Sequence, residues 1–219
     1  MHEIRRATDP SVQATMQPLP RSFFDAEPEL VARQLIGKLL VRRQGGHPLV
    51  GRIVETEAYL GEHDPAAHAA SGRTPRNAVL YGPPGHAYVY SIYGLHFCLN
   101  VSCLGEGFPG CVLVRALEPV EGLDAMRANR GMTNESAPWK LASGPGKLCQ
   151  ALQITRAADN GTDLTDIRGN LGLYQDVFAC GEIRVTARIG ISKAADLPLR
   201  FFLSGNPCVS PGASRASRT

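Results

Sequence analysis

The segment Lys38–Ala58, with the sequence KLLVRRQGGHPLVGRIVETEA, holds the first clear structural signal in this chain. Two runs rich in Leu, Val and Ile, at 38–43 and 49–58, flank the short stretch QGGHP. Apolar runs joined by a few residues that include glycine are typical of a β-hairpin. The sequence therefore predicts two antiparallel strands, the second of which leads into the acidic segment ETEAYLGEHDPAAH, Glu55–His68.

Similar signals recur along the chain. HAYVYSIY and HFCLNVSCL indicate a second hairpin with a tight turn, and CVLVRAL indicates a strand that is apolar on both faces. Hairpins with interspersed helices predict an α+β fold with a largely antiparallel sheet and short surrounding helices. The further predicted strands are 86–93, 96–104, 111–117, 181–191 and 199–204, and the predicted helices are 25–35 capped by Asp25, 74–80, 120–129, and 145–152 capped by Ser143.

Length and composition indicate one domain. The chain has 219 residues, 43% of them hydrophobic and 20% charged, which is ordinary for a soluble globular protein. Its apolar runs fall far short of the ~20 residues that a membrane span needs, and its amino terminus does not resemble a signal peptide. We expect a flexible arm at 1–20, a single domain at 21–210 and a disordered tail at 211–219.

Cysteine content and net charge add two weaker expectations. The six cysteines form no Cys-x-x-Cys pattern, and Cys98 and Cys111 lie within apolar segments. We therefore expect reduced thiols and a cytoplasmic protein. The net charge of +3 is compatible with an anionic partner without requiring one.

The acidic segment places three side chains on one face of its strand. Residues two apart on a strand point the same way, so Glu55, Glu57 and Tyr59 lie together. Arg115 lies among apolar neighbours in CVLVRAL, and a buried guanidinium needs an acidic partner. Glu57 is the candidate partner, because it lies nearest the end of its strand. The residues alone leave open whether the two form a core ion pair or a catalytic one.

Tyrosines cluster on the second predicted hairpin. Tyr88 and Tyr90 share a strand face, whereas Tyr93 lies at the hairpin tip, where it has little core to join. An exposed aromatic wedge can replace a base in a stack, although tyrosines also pack in ordinary strands. Asn100 interrupts an apolar run, and a buried amide must be hydrogen-bonded or functional.

Two further groups of polar residues suggest ligands. Arg73 and Arg76 lie in the loop GRTPRN, and Lys147 follows glycines at a predicted helix start, where N–H groups can bind an anion. A metal site within the acidic segment is the competing interpretation, but His63 and His68 are five residues apart in a loop, which fits neither His-Glu-x-x-His nor a zinc ribbon. We expect no metal and no cofactor.

Five blocks in order resemble the alkyladenine (3-methyladenine) DNA glycosylases of the mammalian type: RIVETEAYLGEHDPAAH, GRTPRN, YVYSIYGLHFCLNVS, CVLVRALEP and SGPGKLCQAL. The likeness covers the chain from Phe23 to Ser210. It implies a curved antiparallel sheet and an enzyme that acts without a metal. No lysine stands near Glu57 in these blocks, so we expect no Schiff-base step and predict a monofunctional enzyme. The implied partner is double-stranded DNA that contains alkylated or deaminated purines, and the protein is expected to be a monomer away from membranes.

The resemblance also implies roles for single residues. Glu57 resembles the general base, and Arg115 the residue that helps it to hold the attacking water. Tyr93 resembles the wedge that intercalates into DNA. The implied base pocket consists of Tyr59, His68, Tyr90 and Asn100, and Asn100 obstructs the 2-amino group of guanine. The implied contacts to the DNA backbone are Arg73, Thr74, Arg76 and Lys147.

Two other functions remain open. The same pocket would suit a non-catalytic protein that binds damaged DNA, and His63 and His68 would suit a metallohydrolase. The remaining charges of the acidic segment are expected to be structural or solvated; they are Glu55, Glu62, His63 and Asp64.

Overall fold

The computed structural model describes residues 16–44, 46–92, 94, 96–133 and 137–211, with only the backbone described at Gln44. Within these residues the chain forms eight β-strands and four α-helices, joined in several places by short 3-10 turns. The strands are β1 Leu39–Gln44, β2 His47–Tyr59, β3 Ala87–Ile92, β4 His96–Cys103, β5 Gly110–Glu121, β6 Leu171–Tyr174, β7 Ile183–Thr186 and β8 Arg200–Leu203. The helices are α1 Pro28–Leu35, α2 Leu123–Asn129, α3 Pro145–Ala151 and α4 Arg156–Asp159.

The eight strands of the described chain belong to one curved, open sheet with antiparallel pairing. The order across the sheet is β3-β4-β5-β2-β1-β6, and β7 and β8 join it through a pairing of β8 with β2. Both predicted hairpins, β1–β2 and β3–β4, are present. The arrangement confirms the predicted α+β class with an antiparallel sheet.

Strand β2 organises the sheet around the acidic segment. Its first half pairs with β1, and its second half pairs with β8 at Glu55–Glu57. Its other edge pairs with β5, in a register that shifts twice between Ile53 and Thr56, opposite Arg115. Irregularities of this kind redirect side chains. They occur here at Glu55, two residues before Glu57, and opposite Arg115.

The main core lies between the sheet and two helices. Helix α1 packs on β2 and β5, and α3 packs on β4 and β5. Strand β5 is buried from Gly110 to Leu117, so it is covered on both faces as its apolar neighbours predicted. Arg115 is therefore held in an interior strand, 7% exposed.

Helix starts differ from the prediction where proline or glycine sets them. Helix α1 begins at Pro28 instead of following a cap by Asp25, because the fixed φ of proline suits the first helical position. Helix α2 begins at Leu123, three residues later than predicted. Gly122 precedes it with a φ of 77°, a conformation that separates the end of β5 from the helix.

Three other predictions are wrong. Ser143 does not cap α3, whose N-cap position is Gly144 and has no side-chain cap. Only Ala78–Tyr81 in the region of the predicted helix 74–80 is helical, as a 3-10 turn. The strand predicted at 181–191 is β7 alone, and the chain after it leaves the sheet.

The described chain joins the sheet earlier than the predicted arm allows. The Leu19 N–H donates to the Leu173 carbonyl at 2.9 Å, and the Leu19 side chain is buried. Residues just before position 20 therefore contact β6. None of the helices in the described part of the chain has the length and apolar character that crossing a bilayer requires.

Candidate active site

Glu57 is buried near the end of β2, in contact with three polar groups of the described chain. Its Oε1 accepts a hydrogen bond from the Ile189 N–H at 2.7 Å and lies 3.2 Å from Arg115 Nη1. Its Oε2 accepts a hydrogen bond from the Tyr59 hydroxyl at 3.1 Å. Burial raises the pKa of Glu57, although Arg115 and these hydrogen bonds oppose the rise. A carboxylate accepts about four hydrogen bonds, so Oε2 can accept a further one.

Arg115 joins Glu57 to a second buried carboxylate. Its Nη1 faces Glu57, as the sequence predicted, while its Nε donates to Glu55 Oε1 at 3.0 Å. Glu55 also accepts hydrogen bonds from Arg200 Nε at 2.7 Å and from the N–H and hydroxyl of Ser210. Two carboxylates and two guanidiniums thus balance each other, which is how buried ions are tolerated. Glu55 is occupied by structural contacts, and Glu57 is the less occupied of the two.

An aromatic pocket of about 340 Å³ opens beside the Tyr59 ring. Its volume lies at the lower end of the range for small-molecule sites. The structure brings together here the four residues predicted for the base pocket, Tyr59, His68, Tyr90 and Asn100. Further lining comes from Arg76, Tyr88, Gly190 and Ile191, among others.

His68, Tyr88 and Tyr90 form the aromatic side of this pocket. The centre of the Tyr90 ring lies 4.4 Å from that of His68 and 5.6 Å from that of Tyr88. His68 Nδ1 and the Tyr88 hydroxyl are hydrogen-bonded at 2.8 Å. Burial, together with the charge of Arg76, lowers the pKa of His68, so the imidazole is neutral at pH 7. With Nδ1 engaged by Tyr88, Nε2 is the ring nitrogen that a ligand would meet.

Asn100 lies on β4, directly opposite Tyr88 in the β3–β4 pairing. It is 3% exposed, and its Nδ2 donates to the Tyr88 carbonyl at 3.2 Å. The same side chain lines the pocket. The amide is therefore both hydrogen-bonded within the fold and available to shape the cavity.

The loop that carries Arg73, Thr74 and Arg76 borders the pocket and is organised by Asn77. The buried Asn77 side chain accepts from the Thr74 N–H at 2.7 Å and donates to the His68 carbonyl at 3.1 Å. These side-chain bonds replace the helical bonds that the sequence predicted for this loop. Arg73 and Arg76 are exposed, and Arg76 reaches the pocket wall.

Lys147 lies on α3, outside the pocket. It borders a separate groove of about 400 Å³ together with Trp139 and Lys140. The start of α3 packs closely on the second hairpin, since a Cβ added at Gly146 would lie 3.2 Å from the His96 side chain. Lys147 is thus close to the turn end of that hairpin, where His96 pairs with Ile92, and it is not one of the pocket residues.

The predicted wedge, Tyr93, lies outside the described residues. The hairpin that carries it is described up to Ile92, which pairs with His96. Gly94, between them, has a φ of 70°, which suits a tight turn. The predicted hairpin is confirmed, and the role of Tyr93 stays a prediction.

Comparison with known proteins identifies the family of this chain. The family described as methylpurine-DNA glycosylase matches residues 22–207. The chain belongs to the methylpurine-DNA glycosylase family. This finding confirms the resemblance seen in the sequence and the predicted class of enzyme, a DNA glycosylase of DNA repair.

Three relatives illustrate how closely the chain follows this glycosylase family. A protein of Koribacter versatilis is 55% identical over 197 residues, which cover 90% of this chain and 95% of the relative. A protein of Methanoculleus marisnigri is 53% identical (88% and 98% covered), and one of Carboxydothermus hydrogenoformans is 48% identical (88% and 98% covered). Each carries a provisional name as a 3-methyladenine DNA glycosylase.

Sequence reasoning missed the segment 187–191 of this glycosylase-family chain. Ile189 donates its N–H to Glu57, and Gly190 and Ile191 line the pocket. Arg188 is buried and pairs with Asp64. One signal was available: Arg188 interrupts the apolar run VTARIGI in the way that Arg115 interrupts CVLVRAL.

The residues of the alternative metal site are engaged differently. Asp64 binds Arg188, His68 binds Tyr88, and His63 is exposed. Over the ranges that the structure describes, no group of three or more His, Cys, Asp or Glu side chains is arranged to hold a metal ion.

A larger groove of about 660 Å³ lies between β1 and the helices α3 and α4. Its two arginines are held by the protein itself: Arg42 pairs with Asp159 at 2.8 Å, and Arg43 donates to the Gly169 carbonyl at 3.2 Å. Because both guanidiniums already have partners within the protein, they are less available to bind a ligand than the polar groups of the aromatic pocket.

Proposed function

We propose that this protein is a 3-methyladenine DNA glycosylase that hydrolyses the N-glycosidic bond of alkylated or deaminated purines in duplex DNA. One observation carries the proposal: a buried glutamate paired with a buried arginine lies directly beside an aromatic pocket. The names of the family and of the relatives support it. The product is an abasic site.

The pocket suits a purine that has left the helix. A base must be extruded before its glycosidic bond can be reached, at a cost of a few kcal/mol. Once extruded, it stacks against Tyr59 and Tyr90, whose electron-rich faces favour a cationic alkylated base by about 1–2 kcal/mol. Asn100 is proposed to obstruct the 2-amino group of guanine. Neutral guanine is therefore disfavoured, whereas the positive charge of 7-methylguanine offsets the obstruction by strengthening its stacking on the tyrosines.

Glu57 is the proposed general base. A water that donates a hydrogen bond to Oε2 is positioned for attack on the sugar carbon, and its proton passes to the carboxylate. The bond between that carbon and the purine breaks, and its electron pair leaves with the base. The negative charge of Glu57 also stabilises the positive charge that develops on the sugar. Burial raises the pKa of Glu57 and so makes it more basic than an ordinary carboxylate, while Arg115 opposes the rise by favouring the ionised form.

Water is the proposed nucleophile because no amine is at hand. The pocket lining in the described chain includes no lysine, which a Schiff-base mechanism would require. A monofunctional enzyme follows, in agreement with the enzyme class.

The DNA backbone is proposed to lie along the exposed loop beside the pocket. Arg73, Thr74 and Arg76 contact phosphates there, Lys147 contacts the strand on the other side of the second hairpin, and Tyr93 fills the gap left by the extruded nucleotide. The exposure of the loop and its position at the pocket wall support this arrangement. No cofactor is needed, and a monomer supplies the whole site.

Release of free base under single-turnover conditions tests the proposal. A duplex with one 3-methyladenine, incubated with excess protein, should yield free base and a strand that breaks only after alkali. A borohydride trap should capture no covalent complex. Tight binding without base release would identify a non-catalytic binder, and activity abolished by a chelator would identify a metallohydrolase.

A further inference from the structure

Asp64 and Arg188 form a buried ion pair behind Tyr59. Neither side chain has exposed surface, and the guanidinium binds both carboxylate oxygens, with Nη2 at 2.9 Å from Oδ1. Arg188 Cζ lies 4.7 Å from the centre of the Tyr59 ring. Tyr59 lines the aromatic pocket, whereas Asp64 and Arg188 are not among its lining residues. This is the arrangement expected if the guanidinium lies against the ring face on the side away from the pocket.

The same pair fixes the backbone around the proposed base. Arg188 Nη1 donates to the carbonyl of Ala58, the residue between Glu57 and Tyr59, at 3.0 Å. The residue after Arg188 is Ile189, whose N–H binds Glu57 at 2.7 Å. The position of Arg188 therefore sets both a wall of the pocket and a hydrogen-bond donor of the carboxylate.

The charges of the pair bear on which bases the pocket accepts. A ring attracts a cation through its electron-rich face, and a cation on one face weakens that attraction on the other. A 7-methylguanine base in DNA carries a positive charge, whereas hypoxanthine is neutral. Asp64 cancels the charge of Arg188, so Tyr59 can stack on a cationic base without a net charge behind it.

We propose that the Asp64–Arg188 pair positions Tyr59 and Ile189 and, through its neutrality, determines how well the pocket accepts cationic purines relative to neutral ones. The inference rests on the proposed glycosylase function. It makes Asp64 and Arg188 positioning residues, since neither touches the base.

Geometry gives the size of the effect. A base stacked about 3.5 Å from Tyr59 lies about 8 Å from Arg188 Cζ. At an effective dielectric constant of about 20, an uncompensated unit charge at that distance weakens binding of a cation by roughly 30-fold and leaves a neutral base unaffected. Loss of Asp64 alone should therefore slow release of the cationic base relative to the neutral base by about tenfold or more.

The experiment compares release of 7-methylguanine and of hypoxanthine from otherwise identical duplexes, as single-turnover rate constants at subsaturating protein. The ratio of the two constants cancels any difference in folded fraction. Asp64→Asn should lower the 7-methylguanine to hypoxanthine ratio by about tenfold or more. Arg188→Met should raise it, because a carboxylate is left behind the ring. The double variant, which is neutral again, should return it to within about threefold of wild type while it lowers the maximal rate for both lesions.

A buried ion pair elsewhere provides the matched control. Asp159 pairs with Arg42 at 2.8 Å, and neither residue lines the pocket. Asp159→Asn should destabilise the protein in a similar way and leave the ratio unchanged. If Asp64→Asn gives no folded protein, the ratio measured for Arg188→Met tests the inference by itself: a rise supports it, and no change or a fall contradicts it.

The two hypotheses fail in different ways. Active wild-type protein whose ratio is the same in Asp64→Asn and Arg188→Met overturns the inference and leaves the proposed function intact. Wild-type protein that releases neither base overturns the proposed function, and the inference with it.

Discussion

The hydrogen bond from Tyr59 to Glu57 predicts a specific change in the pH dependence of base release. Burial raises the pKa of Glu57, and the Tyr59 hydroxyl, bound to Oε2 at 3.1 Å, is one of the groups that oppose this rise. Tyr59→Phe removes that hydroxyl and keeps the aromatic wall. The carboxylate then loses a stabilising donor, so the pKa of Glu57 should move further upward.

The size of this shift follows from the energy of the lost bond. A hydrogen bond to a charged group contributes about 1.5 kcal/mol, and about 1.4 kcal/mol corresponds to one pKa unit. Because Glu57 must be ionised to act as a base, the rate falls as pH decreases through its pKa. The acidic limb of the pH–rate profile should therefore lie above the range of ordinary carboxylates in wild type and about one pH unit higher still in Tyr59→Phe.

Single-turnover release of 7-methylguanine, measured across the acidic range for both proteins, checks this prediction. Tyr90→Phe is the matched control, since Tyr90 lines the same pocket and is not hydrogen-bonded to Glu57. Its acidic limb should coincide with that of wild type. An unchanged limb in Tyr59→Phe, or one that moves to lower pH, would refute the assignment of Glu57 as the titrating base.

Three further predictions concern stability, specificity and DNA affinity. The pKa of Glu57 is raised in the folded protein, so this group stabilises the fold at low pH, where it is protonated, and that contribution is lost as pH rises through the folded pKa. Gln resembles the protonated form at every pH. The melting temperature of Glu57→Gln at pH 7, measured by calorimetry, should therefore be no lower than that of wild type. Asn100→Ser should admit the 2-amino group and increase guanine release from undamaged duplex, at a stability cost of about 1 kcal/mol for the bond to the Tyr88 carbonyl. Lys147→Ala should weaken binding alike for damaged and undamaged duplex and reduce the slope of log affinity against log salt by about 1, in anisotropy titrations; an unchanged slope would remove Lys147 from the interface.

Much of the fold could be predicted because its signals are local. Both hairpins follow from apolar runs and glycine-containing turns, and β5 follows from apolar residues of both parities. The first residues of the helices were harder to predict from the sequence. The helix α2 begins after Gly122, whose φ depends on how the chain leaves β5 and passes close to Leu49. The strand β6 is a four-residue element whose pairing with β1 joins residues far apart in sequence.

The part of the site that could be predicted from the sequence is the ion pair, because a buried charged side chain requires a partner of opposite charge. A lone arginine in an apolar strand requires a carboxylate, and this argument identified Glu57. It could not identify Glu55 as the second partner of Arg115, because the register shifts opposite that residue are not visible in the sequence. It also missed Arg188, whose partner Asp64 lies 124 positions away and whose segment has the composition of a strand.

Base release by Glu57→Gln tests the central claim most directly. Gln keeps the shape of the side chain and removes its basicity, and a general base contributes about 10²–10⁴-fold to a rate. A folded Glu57→Gln protein should bind a 3-methyladenine duplex like wild type and release the base at least about 100-fold more slowly in a single turnover. Release at the wild-type rate by that folded protein would contradict the claim that Glu57 activates the water.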